Sequence, residues 1–60
     1  MSDAVKTIGV VEDDPALAQR LAQVIEAADG LALAFAAGTL AEALSAVDAA
    51  APDLCLVDID

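Results

Sequence analysis

The stretch Ile8-Gly9-Val10-Val11-Glu12-Asp13-Asp14-Pro15 restricts the fold more than any other part of the chain. A short, largely β-branched apolar run without polar alternation reads as a strand buried on both faces, the habit of parallel sheets. It runs directly into three carboxylates and then a proline. Asp is a favoured helix N-cap, and Pro fits the first helical turn because its missing N–H would be unpaired there anyway. The acids therefore stand where a buried strand ends and a helix begins. Gly9 weakens the strand slightly and marks close approach of another backbone.

The remaining residues extend this unit. Leu17, Leu21, Val24, Ile25 and Ala28 recur at helical spacing, and Asp29-Gly30 ends that helix, with Gly30 placed for a left-handed C-terminal turn. Leu31 to Ala36 alternates large and small, so a second strand is expected with Leu31, Leu33 and Phe35 on one face. Gly38 interrupts the pattern. Thr39-Leu40-Ala41-Glu42 matches a capping box, and Leu40, Ala43, Leu44 and Val47 form the stripe of a second helix that Pro52 stops. Leu54-Cys55-Leu56-Val57 reads as a third buried strand, with Cys55 in the core, running into Asp58-Ile59-Asp60. The order β-α-β-α-β predicts an α/β fold, a portion of a doubly wound parallel sheet with right-handed crossovers.

Composition narrows the functions open to such a chain. Two basic residues, Lys6 and Arg20, face eleven acidic ones, a net charge of −9. That balance repels nucleic acid and anionic membrane and suits a cation or a basic partner. A single cysteine excludes an intrachain disulfide, and no signal peptide or membrane span is visible, so a cytoplasmic location is expected. The chain is 60 residues long with one Phe and no Trp or Tyr, so the core is expected to be thin. The first strand-to-helix turn has no glycine-rich loop, and its charge argues against a dinucleotide.

In open parallel sheets, ligands bind beyond the carboxyl ends of strands, where the winding direction reverses. If the first strand lies between the other two, Glu12 and Asp13 end one strand beside Asp58 at the end of its neighbour. Carboxylates at close range repel unless their pKa values rise or a cation sits between them. Oxygen-only donors favour magnesium, or manganese, over zinc. A divalent ion beside a carboxylate suits phosphoryl transfer, with the carboxylate as nucleophile. Asp14 reads as the helix cap and Thr39 as the second cap. For Asp60 a solvated-loop role and a site role are equally open.

Ile8 to Pro15, Gly38-Thr-Leu-Ala-Glu-Ala-Leu44 and Pro52-Asp-Leu-Cys-Leu-Val-Asp-Ile-Asp60 together resemble response-regulator receiver domains of two-component signalling. The resemblance covers nearly all of residues 1–60 and corresponds to the N-terminal half of such a domain, a truncated flavodoxin-like receiver fold. It implies the strand order 2-1-3. It also implies that Asp58 accepts a phosphoryl group from a sensor histidine kinase or phosphotransfer protein. Asp13 would bind magnesium directly, Glu12 through water, Asp58 by its carboxylate and Asp60 by its backbone carbonyl. The protein would then be a phosphoacceptor rather than a turnover enzyme, and homodimerisation is a further option. The central segment resembles that of receivers followed by a DNA-binding output domain in a longer chain, while this segment itself touches no nucleic acid or membrane. The family's Ser or Thr and Lys that contact the phosphoryl group are not in these 60 residues, and the third strand is expected to be an open edge with apolar surface uncovered. Two alternatives remain. Asp58-Ile-Asp60 also resembles the nucleophile and acid pair of haloacid-dehalogenase-type phosphohydrolases, though there it follows the first strand. The other is a non-phosphorylated receiver-like interaction module.

Overall fold

The apolar run that opens the chain becomes the middle of the sheet. The computed structural model describes residues 4–58 and contains β1 (Lys6–Glu12), α1 (Pro15–Ala27), β2 (Leu31–Ala37), α2 (Leu40–Ala49) and β3 (Leu54–Asp58). The three strands are parallel in the order β2-β1-β3. This is the β-α-β-α-β arrangement of a flavodoxin-like α/β sheet. Among the described residues no helix is long and apolar enough to cross a membrane.

β1 is buried on both sides because a helix lies over each face. Ile8 and Val10 pack with Ile25 and Leu21 of α1 and with Leu33. Val11 packs on the opposite face with Ala37, Ala43 of α2 and Phe35. Val10 and Val11 are the largest fully buried side chains. The expectation of a doubly buried first strand therefore holds.

β2 departs from its expected alternation. Ile8 pairs with Leu33, but Gly9 pairs with Phe35, so Ala34 is an extra residue in the ladder. Such a bulge turns the following side chains to the other face. Leu33 thus joins the α1 side and Phe35 the α2 side, rather than sharing one face. The space that receives the ring lies over Gly9. A Cβ built there would stand 2.4 Å from Phe35 Cζ, so it is a side chain, not a backbone, that approaches this glycine.

Both helices begin as their sequences dictate. Asp14 Oδ1 accepts from the N–H groups of Ala16 (3.0 Å) and Leu17 (3.4 Å), with Pro15 in the first turn. Thr39 Oγ1 accepts from Glu42 N–H at 3.1 Å, while Glu42 Oε1 reaches back to Gly38 N–H at 2.9 Å, one residue beyond the cap. Gly30, with φ +83°, makes the left-handed turn into β2. Loss of one side-chain cap costs about 1 kcal/mol, which in a domain of this size is about 4–8 °C of melting temperature. Asp14→Ala should show that loss in a thermal melt, and an unchanged melting temperature would remove Asp14 from the cap.

Burial is narrower than the apolar pattern predicts. On α1, Ile25 is buried, but Val24 is exposed and Leu17 partly so. On α2 only Ala43 is buried, and Leu40, Leu44 and Val47 face outward. The correction is largest at β3, which is exposed at every residue, Cys55 included. No helix packs on it; β1 is its sole neighbouring element among the described residues. β3 is therefore the open apolar edge that the resemblance implies, and not the buried strand that its apolar run alone suggests.

Candidate carboxylate site

Strand pairing brings the two acidic segments together. β1 and β3 run in register from Ile8 opposite Leu54 to Glu12 opposite Asp58. Registered partners in a parallel pair share a face, so Glu12 and Asp58 stand side by side on the face that also carries Val10 and Leu56. Asp13 follows in the turn to α1. Asp60, expected to contribute its carbonyl, lies outside the described residues.

Glu12 is the unusual member. It is 4% exposed, the buried charged residue of the described chain, whereas Asp13, Asp14 and Asp58 are exposed. Its Oε2 accepts from Asp14 N–H at 3.0 Å, a contact that ties the side chain to the turn into α1. Its Oε1 is buried with no hydrogen-bond partner. A buried, unpaired carboxylate oxygen is costly. The Asp14 N–H draws the Glu12 pKa down, but burial and the neighbouring carboxylates of Asp13 and Asp58 outweigh it, and the net shift is upward.

Beside these acids a groove of about 450 Å³ opens between α1 and the end of β2. Ala18, Ala22, Ala36 and Ala37 are among its lining residues, and Glu12 and Asp13 give it an acidic end. The small side chains let α1 lie close to the sheet while leaving this space unfilled.

The donor set bears on magnesium in two ways. All available donors are carboxylate oxygens, and one of them, Glu12 Oε1, lacks a partner, which fits a hard cation. Among the described residues, however, no three acids or thiols gather closely enough to cage a metal ion. Among these residues there is thus no all-protein cage, and the arrangement suits an ion that keeps several waters and takes few carboxylate ligands.

At the opposite end of the sheet, sequence reasoning missed a second polar pair. Asp53, just before β3, is held by Thr7 of β1. The Asp53 pKa is lowered by the Thr7 backbone N–H, then by its hydroxyl, against a smaller effect of burial and with help from Lys6. These two shifts act oppositely on stability. The Asp53 contribution is present above an ordinary Asp pKa of about 3.9 and is lost as pH falls through its depressed value. Glu12 favours the fold below an ordinary Glu pKa of about 4.3, and that contribution is lost as pH rises through its raised value. Melting temperature without metal should therefore peak in mildly acidic solution, and Glu12→Gln should flatten the fall on the alkaline side. An unchanged alkaline limb in that variant would remove Glu12 as its cause.

Comparison of the chain with protein-family models, curated proteins and solved structures gives no match.

Proposed function

We propose that the chain is the phosphoacceptor part of a response-regulator receiver, with Asp58 as the acceptor. The observation that carries this reading is the register of β1 and β3. It sets the buried, partly unsatisfied Glu12 beside an exposed Asp58 at the carboxyl ends of adjacent parallel strands. The exposed carboxylate is accessible to a large donor protein, and the buried one is a fixed negative group beside it.

In the proposed reaction an Asp58 carboxylate oxygen attacks the phosphorus of a phosphohistidine on a sensor kinase. The P–O bond forms as the P–N bond breaks, and the released imidazole takes up a proton. Asp13, Asp58 and, through water, Glu12 would hold a magnesium ion, with the backbone carbonyl of Asp60 as a further expected ligand. When bound, the ion neutralises charge on the transferring phosphoryl group. Glu12 is fixed by the Asp14 N–H, so it needs no rearrangement to face the site.

Incubation with acetyl phosphate and Mg²⁺, followed by borohydride trapping and peptide mapping, tests the assignment. The expected product is a single phosphoryl adduct on Asp58. An adduct elsewhere, or none on this chain and none on any longer chain that contains it, would overturn it.

A further inference from the structure

Thr7 and Asp53, 46 positions apart, make a reciprocal set of four hydrogen bonds. The Thr7 N–H donates to Asp53 Oδ2 at 2.8 Å, and the Thr7 hydroxyl donates to the same oxygen at 3.2 Å. The Asp53 N–H donates to the Thr7 carbonyl at 2.9 Å and to Thr7 Oγ1 at 3.1 Å. The carboxylate occupies the donor that β1 would offer to a further residue of β3, so it fixes where pairing begins.

This matters because little else fixes the register of β3. Register is strongly specified where one face of a strand is buried, and weakly specified where it is not. Every β3 side chain is exposed, and apolar residues point to both sides: Leu54 and Leu56 on one, Cys55 and Val57 on the other. A one-residue slip would exchange these faces at little hydrophobic cost while turning Asp58 to the side away from Glu12. A two-residue slip would carry Asp58 roughly 6.6 Å along β1. Backbone pairing alone repeats along the strand and cannot tell these registers apart.

We propose that Thr7 and Asp53 form the register lock of β3 and are positioning residues for the Glu12–Asp58 pair at the other end of the sheet. The lock itself follows from the fold. Its effect on phosphoryl transfer rests on the phosphoacceptor reading above.

The experiment compares the whole chain with Asp53→Ala, Asp53→Asn and Thr7→Val. It records cross-strand amide NOEs between Val11 and Val57 and between Glu12 and Asp58, together with the rate of Asp58 modification by acetyl phosphate. In Asp53→Ala the single set of cross-strand NOEs should give way to mixed registers. The modification rate should fall in proportion to the native share that the NOEs report, about twofold where half the molecules keep the native register. Asn retains an oxygen that accepts from the Thr7 N–H, so Asp53→Asn should restore one register and most of the rate. Thr7→Val keeps the backbone bonds and should fall between. If Asp53→Ala does not fold, the NOEs of Thr7→Val decide. A single native register in Asp53→Ala, or in Thr7→Val where Asp53→Ala does not fold, with only the melting temperature lowered, would overturn the lock. If the wild-type chain takes no phosphoryl group, the acceptor reading fails, and the NOEs still decide the register.

Discussion

Gly9→Val should expel the Phe35 ring from the α2 side of the sheet and remove about 1–3 kcal/mol of stability, the usual cost of overpacking a filled site. The argument is steric. Even a Cβ at this position meets Phe35 Cζ at 2.4 Å and Cε2 at 2.5 Å, well inside contact. The ring is the chain's only aromatic group and packs with Val11, Ala37 and Ala43, so it cannot withdraw without uncovering that cluster. Valine favours strands over glycine by up to about 1 kcal/mol, which offsets only part of the loss. A 60-residue domain has roughly 3–9 kcal/mol of stability in total, so the change is a large fraction of it. The second substitution Phe35→Leu should recover part of the loss, since it removes the atoms that clash. Urea denaturation of both variants measures this. A Gly9→Val midpoint equal to wild type would show that the ring has another place to go.

Asp58→Asn should abolish phosphoryl transfer to this chain outright and weaken Mg²⁺ binding at least tenfold, about the lower end of the cost of losing even an outer-shell partner at a metal site. The same variant should melt higher than wild type when no metal is present. Asp58 is one of the carboxylates that raise the Glu12 pKa, and an amide in its place removes that repulsion. A gain in metal-free stability together with loss of activity is what a site held together against electrostatic repulsion predicts. Equal loss of activity with a lower melting temperature would instead mark Asp58 as a structural residue.

Much of the fold is legible in the sequence because its signals are local. Ile8 to Val11 has no polar alternation and does become the central strand, and Asp14-Pro15 and Thr39 do start the two helices. The strand order 2-1-3, expected from family resemblance, is also the order observed. The bulge at Ala34 was hidden because Leu31 to Ala36 alternates perfectly on paper. What breaks that period is a tertiary event, the Phe35 ring settling over Gly9 on the other strand. The exposure of Leu40, Leu44 and Val47 is hidden for a related reason, whereas the open edge at β3 is one the family resemblance implies. An apolar pattern states what a residue can bury against but not whether a neighbour is there.

The candidate site was legible in part. Asp58 and the Glu12-Asp13 pair were singled out by their place at strand ends. The pairing that results is Glu12 with Asp58, and the burial of Glu12 beside exposed acids has no signature in a run of three carboxylates. Thr7 and Asp53 escaped notice because each is a single polar residue at a strand start, without periodicity or motif, and only the fold brings them together.

On the proposed reading, strand register joins Glu12 and Asp58 in one cation site. Side-chain carboxyl ¹³C resonances followed by NMR through a Mg²⁺ titration report on that sharing. The Glu12 and Asp58 signals should shift together along one saturating curve, while scattered acids such as Asp48 stay still. If Glu12 and Asp58 follow different curves, or move no more than Asp48 does, the two carboxylates do not share an ion.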